Sequence, residues 1–257
     1  MTKAVFFDID GTLKSFETHS IPESTVQSIK KLREKGIKVF VATGRTPEAV
    51  KVLDNLSIDG YVLLNGSFCL LSTGVAVYKH TISKVEIEKL IEYEKENPLT
   101  CVIMAENITF TNKKDIQVER FIELLNFPEI KEISLVEALN MDVFQVVLFF
   151  EQEKDADMLR VLTGCDALRW HATFADFVPK NSHKGIGIDK MIAHFGISLS
   201  ETMAFGDGGN DISMLRHAAV GVAMGNAGDD VKKAADYVTD TVDNDGVYKA
   251  LKAFDLL

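Results

Sequence analysis

Four aspartates in two short clusters are the residues of this chain best suited to do chemistry. Asp8-Ile9-Asp10-Gly11-Thr12 sets two carboxylates two positions apart, followed by a glycine and a hydroxyl. Gly206-Asp207-Gly208-Gly209-Asn210-Asp211 packs two more carboxylates and an amide beside glycines that let a backbone approach closely. Carboxylates gathered at one edge repel and raise one another's pKa, and a cation resolves the conflict. All-oxygen ligands, few in number, suit Mg²⁺, which keeps several waters and accepts one or two carboxylates plus a substrate phosphate. With a phosphate dianion screened in that way, an aspartate becomes a workable nucleophile in a two-step displacement. A second aspartate two residues on can give a proton to the leaving oxygen and later take one from water. Lys184, preceded by Ser182 at the start of a helical pattern, adds an ammonium and the positive end of a helix dipole. Val41-Ala42-Thr43-Gly44-Arg45 adds a hydroxyl and a flexible backbone.

Each segment has an ordinary alternative: an Asp-Gly turn, a threonine helix cap, a glycine-rich turn with an aspartate cap, a solvated surface lysine. Their agreement favours chemistry. All three strand-end clusters follow an apolar strand pattern and precede a helical one, at the carboxyl edge where open α/β sheets bind ligands.

The elements that must position them can be read in order. Residues 5–9 form a short apolar strand, 24–35 carry Val26, Ile29 and Leu32 at helical spacing and stop at Gly36, and 37–42 are a second strand. A helix follows with Pro47 near its first turn, then a strand at 61–64, an Asn65-Gly66 turn, and a hairpin of 68–71 with 75–78 around Gly74. From residue 81 the texture changes. Ser83 to Glu86 is a capping-box pattern opening an amphipathic helix, and strands at 100–105, 108–111, 143–150, 168–171 and 176–178 alternate with helices near 121–125 and 156–162. This predicts an open sheet with helices on one face. At Lys184 the α/β rhythm returns, with strands at 203–206 and 220–223 among helices at 186–195, 212–218, 231–235 and 247–254. The pattern predicts a discontinuous parallel-sheet core, residues 1–80 and 182–257, carrying an α+β insert over 81–181.

Composition narrows the classes. Of 257 residues, 46% are hydrophobic and 26% charged, close to ordinary folded chains, which excludes disorder, collagen and coiled coil. The longest apolar run, 146–150, is far too short to span a bilayer, and the amino terminus leads straight into a strand pattern, so no membrane segment or signal peptide is expected. Cys69, Cys101 and Cys165 lack metal or CxxC spacing and read as buried thiols of a cytoplasmic protein. A net charge of -10 argues against nucleic-acid binding while allowing a small phosphate to be held locally.

The set Asp8-x-Asp10-Gly11-Thr12, Thr43-Gly44-Arg45, Lys184-Gly185 and Gly206 to Asp211, with the insert between the third and fourth core strands, resembles the haloacid dehalogenase-like (HAD) phosphohydrolases. It most resembles their Cof-type branch, subfamily IIB with the larger C2B cap, whose members are mostly sugar-phosphate phosphatases. The resemblance implies an α/β, Rossmann-like core with an α+β cap. It implies Asp8 as nucleophile and metal ligand, Asp10 as general acid/base that also holds Mg²⁺ through its backbone carbonyl, and Asp207 as the remaining protein ligand. Thr43 and Lys184 would bind the transferring phosphoryl with Gly44 in the same loop. Asn210 would donate on the phosphate side, Asp211 would stand one layer behind the ligands, and Asn65 would face the substrate. Lys14, where an apolar residue is commoner, and His183, directly before the lysine, depart from the family pattern.

The expected activity is thus Mg²⁺-dependent hydrolysis of small phosphate monoesters, phosphosugars above all, through an aspartyl-phosphate. Two rivals remain. A receiver-like phospho-acceptor module uses a similar Asp, Thr, Lys and Mg²⁺ set but needs neither a cap nor the two-residue Asp spacing, and a phosphomutase of the same superfamily would return the phosphoryl group to another hydroxyl. Arg169, Trp170 and His171 read either as a substrate-facing strand of the insert or as a plain half-buried strand. His19, His80, His194 and His217 lack metal spacing, Met203, Met214 and Met224 read as packing, and Glu86, Glu88, Glu92, Glu94 and Glu96 as a solvated helix face.

Overall fold

β1 (Ala4–Phe7) is apolar at every position and wholly buried, the pattern of a strand covered on both faces. Alternation sends Phe6 to one face, stacked on Phe40 at 4.8 Å, and Phe7 to the other, stacked on Phe205 at 4.9 Å. α1 (Glu23–Glu34) then leads to β2 (Lys38–Ala42), followed by β3 (Gly60–Leu63) and the hairpin of β4 (Phe68–Leu71) with β5 (Ala76–Lys79), turned at Gly74 with φ 84°.

In this computed structural model, which describes residues 1–53, 56–125, 127 and 129–257, with the backbone alone at Val52 and Trp170, the chain forms two units. One holds Met1–Arg45, Val50–Lys79 and His183–Leu257, the other Thr46–Ala49 and His80–Ser182. The second contains α2 (Lys84–Glu96), β6 (Cys101–Ala105), β7 (Thr109–Thr111), α3 (Ile116–Leu125), β8 (Lys131–Glu132), β9 (Val143–Phe149), α4 (Asp155–Val161), β10 (Cys165–His171) and β11 (Phe174–Pro179). The chain then returns through α5 (Lys184–Phe195), β12 (Thr202–Gly206), α6 (Ile212–His217), β13 (Val220–Ala223), α7 (Asp229–Ala234), β14 (Tyr237–Val238) and α8 (Gly246–Ala253).

The first unit is an eight-stranded sheet in the order β14-β13-β12-β1-β2-β3-β4-β5, parallel from β14 to β3 and antiparallel at the hairpin edge. β1 has β2 on one side and β12 on the other, so the strand order reverses at β1. A crevice at the carboxyl end of such a switch point is where open α/β sheets hold ligands. The second unit is a six-stranded sheet, β10-β11-β9-β6-β7-β8, antiparallel except for the short β7–β8 contact.

Three expectations are corrected. Among the described residues no α-helix follows Pro47: the chain makes a 3-10 turn over Ala49–Leu53, across the point where it passes from Thr46–Ala49 of the second unit to Val50 of the first, with Val50 and Leu53 buried. Helices do not all lie on one face of the second sheet. α3 sets Phe121 against Phe149 and Phe174, which by alternation lie opposite Val146, Leu148, Ala175 and Phe177. Finally, Ser83 caps α2 by accepting the Glu86 N–H, yet Glu86 is no solvated residue and completes no reciprocal box. It is 5% exposed, and its Oε1 takes Lys89 Nζ at 2.7 Å.

Candidate active site

Asp8, Thr43 and Asp207 are each the first residue past a strand, β1, β2 and β12, which are neighbours in the sheet. In-register parallel pairing, with Phe7 opposite both Val41 and Phe205, therefore delivers all three side chains to one edge. Lys184 reaches the same place from the first turn of α5, where His183 caps the helix by accepting the Ile186 N–H. Its Nζ is fully buried and donates to Asp8 Oδ1 at 2.6 Å and Asp211 Oδ1 at 2.5 Å.

Asp211 spends its other oxygen on the backbone. Its Oδ2 accepts the N–H groups of Asp207 (3.0 Å) and Gly208 (2.9 Å), folding the strand-end loop around one buried carboxylate. Asp207 is held at both oxygens, Oδ1 accepting from Thr12 Oγ1 at 2.9 Å and Oδ2 from Asn226 Nδ2 at 3.2 Å. A Cβ on Gly11, at φ 82°, would stand 2.1 Å from Asp207 Oδ2, so only glycine allows the two loops to meet. Asp10 is turned elsewhere, gripped by Arg45 through Nε to Oδ2 at 2.8 Å and a terminal nitrogen to Oδ1 at 2.7 Å. Thr43 is buried, with its hydroxyl accepting the Arg45 N–H at 3.2 Å, and Asn210 donates through Nδ2 to Asn65 Oδ1 at 3.0 Å.

Oxygens of Asp8, Asp207 and Asp211 all lie within 4.8 Å of one another, with Lys184 as the cation that touches two of them. Burial, and next the charge of Asp211, push the Asp8 carboxyl well above its ordinary value, and the same causes push Asp207 up to about 7. Burial alone would lower the Lys184 pKa, but Asp211 and Asp8 override it and raise it. The pocket thus gathers more negative charge than its lysine balances. Asp8, Asp207 and Asp211 together could face a cation, and a hard oxygen donor set of this kind fits Mg²⁺.

Of the residues singled out in the sequence, Asp8, Asp207, Asp211 and Lys184 come together directly. Thr43, Gly44, Asp10 and Asn210 belong to the same unit and the same strand-end loops. Asn226 escaped sequence reading, although it sits just past β13 at the same sheet edge. Its carboxamide ties Gly11 C=O (2.9 Å) to Asp207 and accepts the Val242 N–H at 3.2 Å. The partnership of Arg45 with Asp10 was likewise missed. In the second unit Arg169 is a structural hub: it pairs with Asp155 and donates to the carbonyls of His171, Ala172, Phe174 and Phe150. His171 stacks on Phe174 at 4.6 Å, and the Trp170 side chain lies outside the described residues. His217 pairs with Asp189 at 2.7 Å, and all three cysteines are buried free thiols. No helix among the described residues is long and apolar enough to cross a membrane.

A sequence profile of haloacid dehalogenase-like hydrolases matches residues 5–251, and the chain belongs to that family. It is 35% identical over 260 residues to YkrA of Bacillus subtilis (strain 168), covering 100% of this chain and 99% of YkrA. Its fold matches the HAD subclass IIB sugar phosphatase BT4131 with a TM-score of 0.90 and 44% identity, each chain covered in full. It also matches the HAD phosphatase BT1666 from Bacteroides thetaiotaomicron with a TM-score of 0.93 and 36% identity, over 100% of this chain and 96% of that one. The architecture is accordingly the subclass IIB one, a parallel-sheet core with an inserted α+β unit, and the chain is a hydrolase.

Proposed function

We propose that this hydrolase is a Mg²⁺-dependent phosphatase of small phosphate monoesters, with phosphosugars as its substrate class. The observation that carries the reading is the buried Lys184 ammonium bridging Asp8 and Asp211 beside Asp207, at the switch point of a parallel sheet. The likeness to the sugar phosphatase BT4131 supports the substrate class. Mg²⁺, held by Asp8 and Asp207 with the Asp10 carbonyl, would supply charge neutralisation for the phosphate dianion and the attacking carboxylate.

An Asp8 carboxylate oxygen attacks phosphorus, and the bond from phosphorus to the ester oxygen breaks. Asp10 gives its proton to the departing alkoxide, while Lys184, Thr43 and Asn210 hold the phosphoryl oxygens. Water then attacks phosphorus, Asp10 takes its proton, and Asp8 is released with inorganic phosphate. Arg45 grips both Asp10 carboxylate oxygens, so it must let go of one before that oxygen can deliver the proton of the first step. We assign these steps to the first unit and selection of the leaving group to the second.

The test is phosphate release from a panel of hexose, pentose and other phosphate esters with Mg²⁺, repeated after chelation. Turnover should vanish with chelator and return with Mg²⁺. Undiminished hydrolysis after exhaustive chelation would defeat the cation role, and transfer to a second hydroxyl without free phosphate would make the chain a mutase.

A further inference from the structure

One short loop ties three parts of the site together. Leu64, Asn65 and Gly66 follow β3 with φ values of 50°, 55° and 98°, three successive residues in the left-handed region, two of which carry side chains. Such conformations cost free energy at any residue but glycine, and they persist only where the surroundings impose them. Here the surroundings are the site. The Asn65 N–H donates to Thr43 C=O at 3.1 Å and the Leu64 N–H to Arg45 C=O at 3.2 Å, joining the turn to the strand-end loop of β2. A Cβ on Gly44 would stand 3.2 Å from both Nδ2 and Oδ1 of Asn65, so the absence of a side chain at Gly44 makes room for that carboxamide. A Cβ on Gly66 would stand 2.2 Å from the His183 carbonyl oxygen and 3.1 Å from Lys184 N, so the turn also abuts the start of α5. Leu64 anchors it with a wholly buried side chain.

The buried Asn65 side chain completes the set, because its Oδ1 accepts from Asn210 Nδ2 at 3.0 Å. An asparagine amide has an oxygen face and a nitrogen face, and a fixed acceptor selects which one turns inward. We propose that Asn65 is a positioning residue: its Oδ1 holds the Asn210 carboxamide with nitrogen toward the site, so that the second N–H of that amide is presented to the phosphoryl group. The left-handed turn at 64–66 is the strained mount that keeps this amide aligned with Thr43 and Lys184. This role rests on the phosphatase reading above.

Glycine accepts the left-handed backbone at position 65 without cost, so Asn65→Gly deletes the amide while sparing the turn. The experiment compares wild type, Asn65→Gly, Asn210→Ala and the double variant for kcat and KM on a hexose 6-phosphate with Mg²⁺, for inorganic phosphate Kd, and for thermal midpoint. Each single change should raise KM and phosphate Kd about tenfold, the scale of one lost hydrogen bond. The double variant should be no worse than Asn210→Ala alone, because Asn65 acts through Asn210. Multiplying losses in the double variant, or wild-type KM and Kd in Asn65→Gly, would overturn the proposal, and so would a lowered midpoint with unchanged KM and Kd. A wild-type chain that releases no phosphate defeats the phosphatase reading instead. The pairing is then judged on the side-chain ¹H–¹⁵N amide signals of Asn210, which should shift in Asn65→Gly; unmoved signals refute it.

Discussion

Asp8 and Asp10 stand two residues apart and meet opposite surroundings. The Asp8 side chain is 11% exposed against a buried lysine, whereas the Asp10 side chain stays 38% exposed in the grip of Arg45. The two should not be interchangeable. On the proposed mechanism Asp8→Asn would remove nucleophile and metal ligand together, and rapid-quench single-turnover measurements should find no phosphoryl transfer at all. Asp10→Asn leaves the backbone in place, and turnover of a sugar phosphate should fall by about 10² to 10⁴-fold, the usual scale of lost general acid/base catalysis. The deficit in the first step should shrink on p-nitrophenyl phosphate, whose leaving oxygen hardly needs a proton. An equal loss on both esters would remove Asp10 as the donor to the leaving group.

At the scale of elements, the placement of Lys184 depends on how closely α5 lies against β3. Gly187, one turn after the lysine, has no side chain at the contact: a Cβ there would stand 2.1 Å from Val62 Cγ1. Gly187→Ala should therefore push the helix off the sheet, costing about 1–3 kcal/mol of stability as overpacking does and lowering kcat as Lys184 shifts. Adding Val62→Ala opens the space, so the double variant should be more stable than the sum of the two single effects and should regain turnover. Thermal unfolding and phosphate release on the four proteins check this, and strictly additive losses would show that the contact does not set the helix. The glycine itself is plain in the sequence, but nothing local says that Val62, far away along the chain, fills its place.

For the whole molecule, the carboxylate cluster links folding to pH. The Asp207 pKa is raised from 3.8 to about 7 in the fold, and Asp8 is raised too, so the folded state holds protons that the unfolded chain has released. Stability of the metal-free protein should then fall as pH rises, with the Asp207 contribution lost between about 4 and about 7, the window between its unfolded and folded pKa values. Asp207→Asn should flatten that slope. Mg²⁺ bound as proposed would favour the ionised cluster, so the rise in Tm on adding it should be larger at pH 8 than at pH 5, and calorimetry with and without chelator reads both effects. An equal shift at the two pH values would mean that the cation binds elsewhere. The thiols give an independent check: burial pushes Cys69, Cys101 and Cys165 up to about 12, so iodoacetamide should label none in the native protein and all three after unfolding.

The sequence by itself determined the alternation of strands and helices, the inserted unit, and the carboxylates, threonine and lysine of the site. Those signals are local: hydrophobic periodicity names an element, and its last residue is the position an open parallel sheet turns toward a ligand. Only the tertiary structure decided which groups pair. Thr12 and Asp207 are 195 positions apart, Asn65 and Asn210 are 145 apart, and Lys184 and Asp8 are 176 apart, separations over which no spacing rule operates. Glu86 shows the same limit from the other side. On a helical wheel it belongs to a charged face, yet Lys89 and Thr163 draw it into the interior, because burial depends on what packs against a helix, which its own residues do not record.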